Sequence, residues 1–181
     1  MTRTLFIHPT DPSTTFGELI YNQYRDRNDV TILTGSHVSH KIIKDALHSH
    51  DRIVFIGHGT EYGLLDMLGG FDRYVVTSKD LHYFRDKPVI CYWCNANIFA
   101  EKYNLNAFAT GMFVSEIDEA ISYRLPAEQE LIDASNTVFC NILSQHVFDD
   151  PEDIREIIYK EYRIENNPVV AFNRECMGFE D

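Results

Sequence analysis

Short apolar runs alternate with amphipathic segments along the first two thirds of the chain. This alternation is typical of an α/β sheet with helices on both faces. Five runs have the length of strands: "TLFIH", "DVTILTG", "RIVFIGHG", "PVICYW" and "AFATGMFVS". The third is apolar almost throughout, which indicates a central strand that is buried on both faces. We therefore predict a mostly parallel sheet in a three-layer αβα sandwich.

The segments between these runs carry helical signals. Thr15 and Glu18 have the spacing of a capping box, and the apolar residues that follow fall on one helical face. Ser39 is predicted to begin a second helix, and further helices are expected at "KDLHYFRDK" and from Asn95 to Tyr103. After the third strand, a Gly-Gly pair between apolar runs indicates a small hairpin excursion.

The last third of the chain is predicted to be helical, with apolar stripes on both sides of Pro151. Near the C-terminus, "PVVAFN" is predicted as a final edge strand. The sequence has no internal repeat, no low-complexity tract and no linker. Residues 1–181 are therefore expected to form a single domain.

Composition and charge exclude several classes of function. Hydrophobic residues make up 44% and charged residues 24% of the 181 positions, which is average for a globular protein. The net charge is −12, and no basic cluster provides the face that a nucleic-acid binder needs. The longest apolar runs are far shorter than the ~20 residues that span a bilayer. With no signal peptide and too few cysteines for a disulfide scaffold, a cytoplasmic protein away from membranes is expected.

Two predicted core strands end in chemically active residues. "IVFIG" is followed by His58 and Gly59, and "VICYW" by Cys94. Parallel strands deliver their C-terminal ends to one edge of the sheet, and neighbouring strands lie ~4.8 Å apart. We therefore predict that His58 and Cys94 face each other as base and nucleophile. The start of the next helix is expected to favour the Cys94 thiolate, and the amides of Gly59 and Cys94 to form an oxyanion hole.

The C-x-x-C spacing of Cys91 and Cys94 has other interpretations. A thioredoxin-type pair lies on the first turn of a helix, whereas Cys91 lies inside an apolar strand and is expected to be buried and inert. A structural zinc site needs four ligands, and there is no second C-x-x-C, so neither a metal nor a cofactor is expected. His58 could also be structural, as lone histidines more often are. A flavodoxin-like phosphate binder would need a glycine-rich loop that "HPTDPSTTFG" does not provide.

Four further histidines surround the second predicted helix. They are His37, His40, His48 and His50. Their spacings could bind a metal adventitiously, but we interpret them as a solvated helix face.

A strand that ends in His-Gly at residue 58, followed by one that ends in Cys at residue 94, resembles the caspase–legumain–gingipain–separase superfamily, clan CD of the cysteine peptidases. The resemblance covers residues 4–122. It implies a caspase-like (flavodoxin-related) fold in which His58 is the general acid/base, Cys94 the nucleophile and Gly59 an oxyanion donor. Trp93 stands where the family usually has a small residue, and the caspase "QACxG" form is absent. The expected function is a cysteine endopeptidase, and the alternative is a catalytically inactive module that binds peptides or protein partners.

The resemblance also implies where the substrate is recognised. In relatives, the pocket for the residue before the scissile bond draws on the end of the first strand, the position two before the cysteine and the loop after the fifth strand. In this chain these are His8, Asp11, Tyr92, Glu116 and Asp118. The acidic residues favour Arg or Lys in the substrate, because an ion pair in a pocket discriminates strongly. Alternatively, Arg124 would attract an acidic residue. The oligomeric state leaves no trace in the sequence.

Overall fold

The computed structural model describes residues 2–9, 12–35, 39–66, 73–126 and 128–179. Its strands are β1 (Thr4–His8), β2 (Val30–Thr34), β3 (Arg52–Ile56), β4 (Gly59–Thr60), β5 (Gly63–Leu65), β6 (Tyr74–Thr77), β7 (Val89–Tyr92) and β8 (Ala107–Ala109). Five of them form a parallel sheet in the order β2-β1-β3-β7-β8. The other three form a small antiparallel sheet in the order β4-β5-β6. The predicted parallel sheet and the excursion after its third strand are therefore both present, although the Gly69-Gly70 pair lies outside the described residues.

Helices cover both faces of the main sheet. They are α1 (His40–Ser49), α2 (Ala96–Lys102), α3 (Ile117–Ser122), α4 (Gln129–His146), α5 (Pro151–Glu161) and α6 (Pro168–Cys176), with 3₁₀ helices at Thr15–Ile20, Asn22–Tyr24 and Ser78–Tyr83. Ser39 caps α1 as predicted, because its hydroxyl accepts from the backbone N–H of Ile42 at 3.3 Å. Within the described ranges, no helix is both long and apolar enough to cross a membrane.

Two apolar clusters pack against opposite faces of the sheet. Successive side chains of a strand point to opposite sides, so Ile90 and Tyr92 join the cluster beneath α4 and α5, while Cys91 joins the cluster beneath α1 and α2. β1 and β3 are buried at every position. This arrangement agrees with the predicted three-layer sandwich.

Two elements differ from the prediction. The segment that begins at Thr15 is a 3₁₀ helix, because the Gly17 amide donates to the Thr14 carbonyl, three residues back, at 2.9 Å. Within the described residues, no side chain caps its N-terminus. The predicted edge strand "PVVAFN" is the first part of α6. The Asn167 side chain accepts from the amides of Val169 and Val170, and Pro168 occupies the first turn. An N-cap followed by proline outweighs the strand preference of two valines.

One histidine beside α1 differs from the solvated face predicted for the group. His40 and His48 are exposed and His37 lies outside the described residues, whereas His50 is buried. Its Nδ1 lies 2.7 Å from the Ala46 carbonyl oxygen, and its Nε2 lies 2.7 Å from Thr31 Oγ1. His50 therefore closes the C-terminal end of α1, a structural role.

Candidate active site

The ends of β3 and β7 bring His58 and Cys94 together. These strands are parallel neighbours in which Ile56 is paired with Tyr92, and each candidate residue lies two positions beyond its strand. His58 and Cys94 line one small cavity of about 20 Å³. A cavity of that size holds about one water molecule, so in this conformation it leaves no room for a substrate.

The Cys94 thiol is held in its neutral form. Burial raises the pKa of Cys94 to about 12, and the negative charge of Glu119 acts in the same direction. Within the described part of the chain, the thiol donates to the Phe113 carbonyl oxygen at 3.6 Å and not to His58. In this conformation, Cys94 is therefore not the thiolate expected from its position before a helix.

The start of α2 explains why the expected thiolate does not form. Asn95 adopts a left-handed conformation with φ of 64°, and its amide donates to the Gly111 carbonyl at 3.0 Å. The next amides also have other acceptors, since Ala96 donates to the Trp93 carbonyl and Asn97 to the Thr110 carbonyl. Amides that are already engaged give a nearby sulfur little stabilisation.

His58 is hydrogen-bonded to a serine. Its Nε2 lies 2.7 Å from Ser13 Oγ, on the segment that follows β1. The His58 backbone is fixed by the small antiparallel sheet, because the Leu65 amide donates to the His58 carbonyl at 2.8 Å. Ser13 is not among the site residues that the sequence predicts. The only signal was the group of hydroxyl residues in "PSTTF" after the first strand.

Buried hydrogen bonds fix the position of Ser13. The neighbouring Thr14 is 4% exposed, and its Oγ1 lies 3.3 Å from His8 Nε2. His8 Nδ1 in turn lies 3.0 Å from the Tyr21 hydroxyl. Gly17 completes the anchor, because a side chain there would come within 2.7 Å of Ile56 Cγ2. His8, expected near a substrate pocket, is instead fully buried and positions the segment that carries Ser13.

The contact between Gly59 and Trp93 explains why each residue occupies its position. A Cβ atom on Gly59 would lie 2.1 Å from Trp93 Cδ1, so only glycine fits beneath the indole. The indole is buried between Phe55 and Phe99 on the face of the sheet opposite to Tyr92, and its Nε1 donates to the Thr60 carbonyl at 3.0 Å. The bulky Trp93 side chain is therefore part of the core.

An acidic groove adjoins the small cavity. It has a volume of about 710 Å³ and shares Phe16 and Ser115 with the cavity. Its polar lining includes Ser13, Glu116, Asp118, Asp133 and Asn136. Two of the predicted recognition residues, Glu116 and Asp118, are thus beside the His58 and Cys94 site.

The other predicted recognition residues have different surroundings. The Tyr92 ring packs in the core: its centroid lies 5.1 Å from that of Phe113 and 4.8 Å from that of Phe139. The residue also borders the small cavity. Asp11 lies outside the described residues. Arg124 is exposed after α3 and does not line the acidic groove.

Cys91 behaves as the sequence predicts. It is completely buried on β7, and burial raises the pKa of its thiol well above the usual range. The described residues contain no group of three or more His, Cys, Asp or Glu side chains that could hold a metal ion.

No family model matches the chain, and no curated protein matches it.

Proposed function

We propose that the protein is a cysteine peptidase of caspase-like fold, in which His58 and Cys94 form the catalytic pair. One observation carries this proposal: the adjacent ends of β3 and β7 deliver an imidazole and a thiol to the same cavity, next to an open acidic groove. The strand order with its excursion between the two residues supports the caspase-like assignment.

The proposed reaction is acyl transfer through the thiol. The thiol proton passes to the His58 imidazole as the sulfur attacks the scissile carbonyl carbon, and the imidazolium then protonates the leaving amine. Water attacks the thioester while its proton passes to His58, and the imidazolium then protonates the departing sulfur, which releases the acid and restores the thiol. The backbone amides of Gly59 and Cys94 are the proposed donors to the oxyanion.

Catalysis requires the Cys94 thiol and the His58 imidazole to exchange their present hydrogen-bond partners. The thiol has to leave the Phe113 carbonyl and reach His58, whose Nε2 is engaged by Ser13. Substrate entering between the acidic groove and the small cavity would supply this change. In the proposed resting form, the thiol is therefore bonded to the Phe113 carbonyl and the imidazole to Ser13.

The acidic groove supports substrates with Arg or Lys before the scissile bond. Glu116, Asp118 and Asp133 line it without an accompanying Lys or Arg side chain among the described lining residues. A partly desolvated ion pair with a guanidinium or ammonium group gives strong discrimination against neutral residues.

A second candidate function is a catalytically inactive module that binds a basic peptide or protein segment in the same groove. The observation that favours it is the neutral Cys94 thiol, with its raised pKa and its hydrogen bond to Phe113. The two candidates share the groove and differ in whether His58 acts on Cys94.

Iodoacetamide labelling of the native protein, read at each cysteine by mass spectrometry, separates the two candidates. The wild type and the His58→Ala variant are each labelled with and without a peptide that contains Arg. In parallel, both proteins are tested for cleavage of peptides with Arg, Lys or Asp before the scissile bond. For a peptidase, His58→Ala slows labelling of Cys94 and abolishes cleavage of the arginine peptide, and a bound peptide protects Cys94 from the reagent. If Cys94 labelling is the same in His58→Ala and no peptide is cleaved, the inactive module is correct. The half-buried Cys176 is the internal reference for general exposure.

A further inference from the structure

We infer that Ser13 is a second nucleophile activated by His58, forming a serine esterase or amidase site for acyl compounds with a cationic group. This assignment goes beyond the cysteine peptidase proposal and does not depend on Cys94. It shares only the imidazole and the acidic groove with that proposal.

Ser13 and His58 form a short hydrogen bond. Ser13 Oγ and His58 Nε2 are separated by 2.7 Å, which is within the range for a serine hydroxyl and its catalytic base. Cys94, in contrast, directs its thiol to the Phe113 carbonyl. Of the two candidate nucleophiles, Ser13 is the one already bonded to the base.

Ser13 and Cys94 also differ in the space beside them. Ser13 lines the groove of about 710 Å³, whereas Cys94 borders the cavity of about 20 Å³. The groove can hold an acyl compound of the size of a modified amino acid, and the small cavity cannot. A substrate in the groove therefore lies beside Ser13 without any rearrangement of the core.

Hydrogen bonds hold the segment that carries Ser13 in place. Thr14, beside the serine, is buried and bonded to His8, and the Gly17 amide closes the turn by donating to the Thr14 carbonyl. Fixed positioning of nucleophile and base is the main requirement for general-base catalysis.

The groove indicates the class of substrate. Glu116, Asp118 and Asp133 supply negative charge along it. Asn136 also borders the groove, is 4% exposed, and has a buried Oδ1 that accepts no hydrogen bond from the described residues. Carboxylates and an amide oxygen are acceptors for a guanidinium or ammonium group, so the substrate is an ester or amide of a basic acyl compound.

The covalent step conserves atoms and charge. The Ser13 proton passes to His58 Nε2 while Oγ bonds to the carbonyl carbon, and the imidazolium then protonates the departing alcohol or amine. Water hydrolyses the acyl-serine with His58 as base, which releases the acid and restores the serine.

The test is labelling of the full chain with a fluorophosphonate, in which the serine oxygen bonds to phosphorus and fluoride leaves. Peptide mass spectrometry should locate the adduct on Ser13. We expect no Ser13 adduct in Ser13→Ala and at least a 100-fold slower reaction in His58→Gln, which keeps a hydrogen-bonding side chain but cannot take up the proton. Ser49→Ala is the matched control, since Ser49 also lies beside a histidine ring and its loss should leave the Ser13 rate unchanged.

Ester hydrolysis tests the substrate class. The wild-type protein should hydrolyse an arginine ethyl ester at least tenfold faster than the matched norleucine ester. The absence of an adduct on Ser13, or an adduct that forms equally fast in His58→Gln, would overturn the assignment. Cys94→Ala separates the two proposals: the Ser13 adduct should form there as in the wild type, whatever the outcome of the Cys94 alkylation test.

Discussion

Among the described residues, two serine–histidine pairs have very different surroundings. Ser13 Oγ lies 2.7 Å from His58 Nε2, and Ser49 Oγ lies 3.1 Å from His50 Nδ1. In the second pair, the same Nδ1 lies 2.7 Å from the Ala46 carbonyl oxygen, which can only accept, so that nitrogen carries the proton. His50 therefore cannot act as a base toward Ser49.

The difference between the pairs lies in how each is formed. Ser49 and His50 are adjacent in sequence and finish a helix, so their contact satisfies local backbone groups. Ser13 and His58 come from segments after β1 and β3 and meet at the edge of the sheet beside the groove. Proximity of serine and imidazole is thus not sufficient for chemistry, which also requires an acceptor nitrogen and space for a substrate.

The largest expected effect distinguishes the two histidines directly. His58→Ala should lower the rate of fluorophosphonate labelling at Ser13 by about 10²- to 10⁴-fold, the usual contribution of a general base. His50→Ala should leave that rate unchanged and lower the free energy of unfolding by about 2 kcal/mol, because the half-buried partners Ala46 and Thr31 lose their bonds. Urea unfolding and labelling kinetics measure both. Equal labelling rates in the two variants would show that His58 does not act as a base toward Ser13.

The next largest effect concerns the glycine beside His58. Gly59→Ala should lower the free energy of unfolding by about 3 kcal/mol, because the new methyl group displaces the buried Trp93 indole. Gly35→Ala is the matched control, with φ of 86° but no atom within 4 Å of the new methyl group, and should cost about 1 kcal/mol. Urea unfolding of both variants measures the difference. Similar stabilities would mean that Gly59 is not required by packing.

Alkaline pH should weaken the fold through Cys94. Its folded pKa of about 12 lies above the value of ~8.5 for an unfolded thiol, so the unfolded state loses its proton first as the pH rises. The stabilising contribution is complete below pH ~8.5 and is lost progressively as the pH rises toward 12. At pH 10 we expect Cys94 to account for a loss of about 1–2 kcal/mol. Urea unfolding of the wild type and Cys94→Ala at pH 7 and 10 measures this, and an identical pH dependence in both would contradict it.

The smallest effect tests the anchor of Ser13. Thr14→Val should lower the free energy of unfolding by about 1 kcal/mol and slow labelling of Ser13 severalfold, because the bond to His8 is lost. The exposed neighbour gives the control: Thr15→Val removes only a bond to the Pro12 carbonyl, and should change stability by less than 0.5 kcal/mol. A Ser13 rate that is unaffected by Thr14→Val would show that the anchor does not position the serine.

Several features of the fold could be predicted because they depend on local patterns. The apolar runs locate β1, β3 and β7, and the rule that parallel strands end at one edge of a sheet brings His58 near Cys94. Ser39 is predictable as a helix cap because the signal is local: the amide that it accepts from belongs to Ile42, three residues further along the chain.

The incorrect predictions involve partners that are distant in sequence or signals that compete locally. "PVVAFN" carries both a strand preference and a capping asparagine before proline, and the cap prevails because it satisfies two buried amides of α6. The sequence places His50 on a solvated face, whereas its burial depends on Thr31 in β2.

The amino-acid sequence determines that this chain forms a parallel α/β sheet and that an imidazole and a thiol come to its edge, because periodicity and strand order are encoded residue by residue. It does not reveal which group the imidazole contacts or whether the thiol is ionised. Those properties depend on Ser13, Phe113 and Glu119, which approach from other segments. Proton positions are governed by burial and charge within a few ångströms, and only the folded chain brings those groups together.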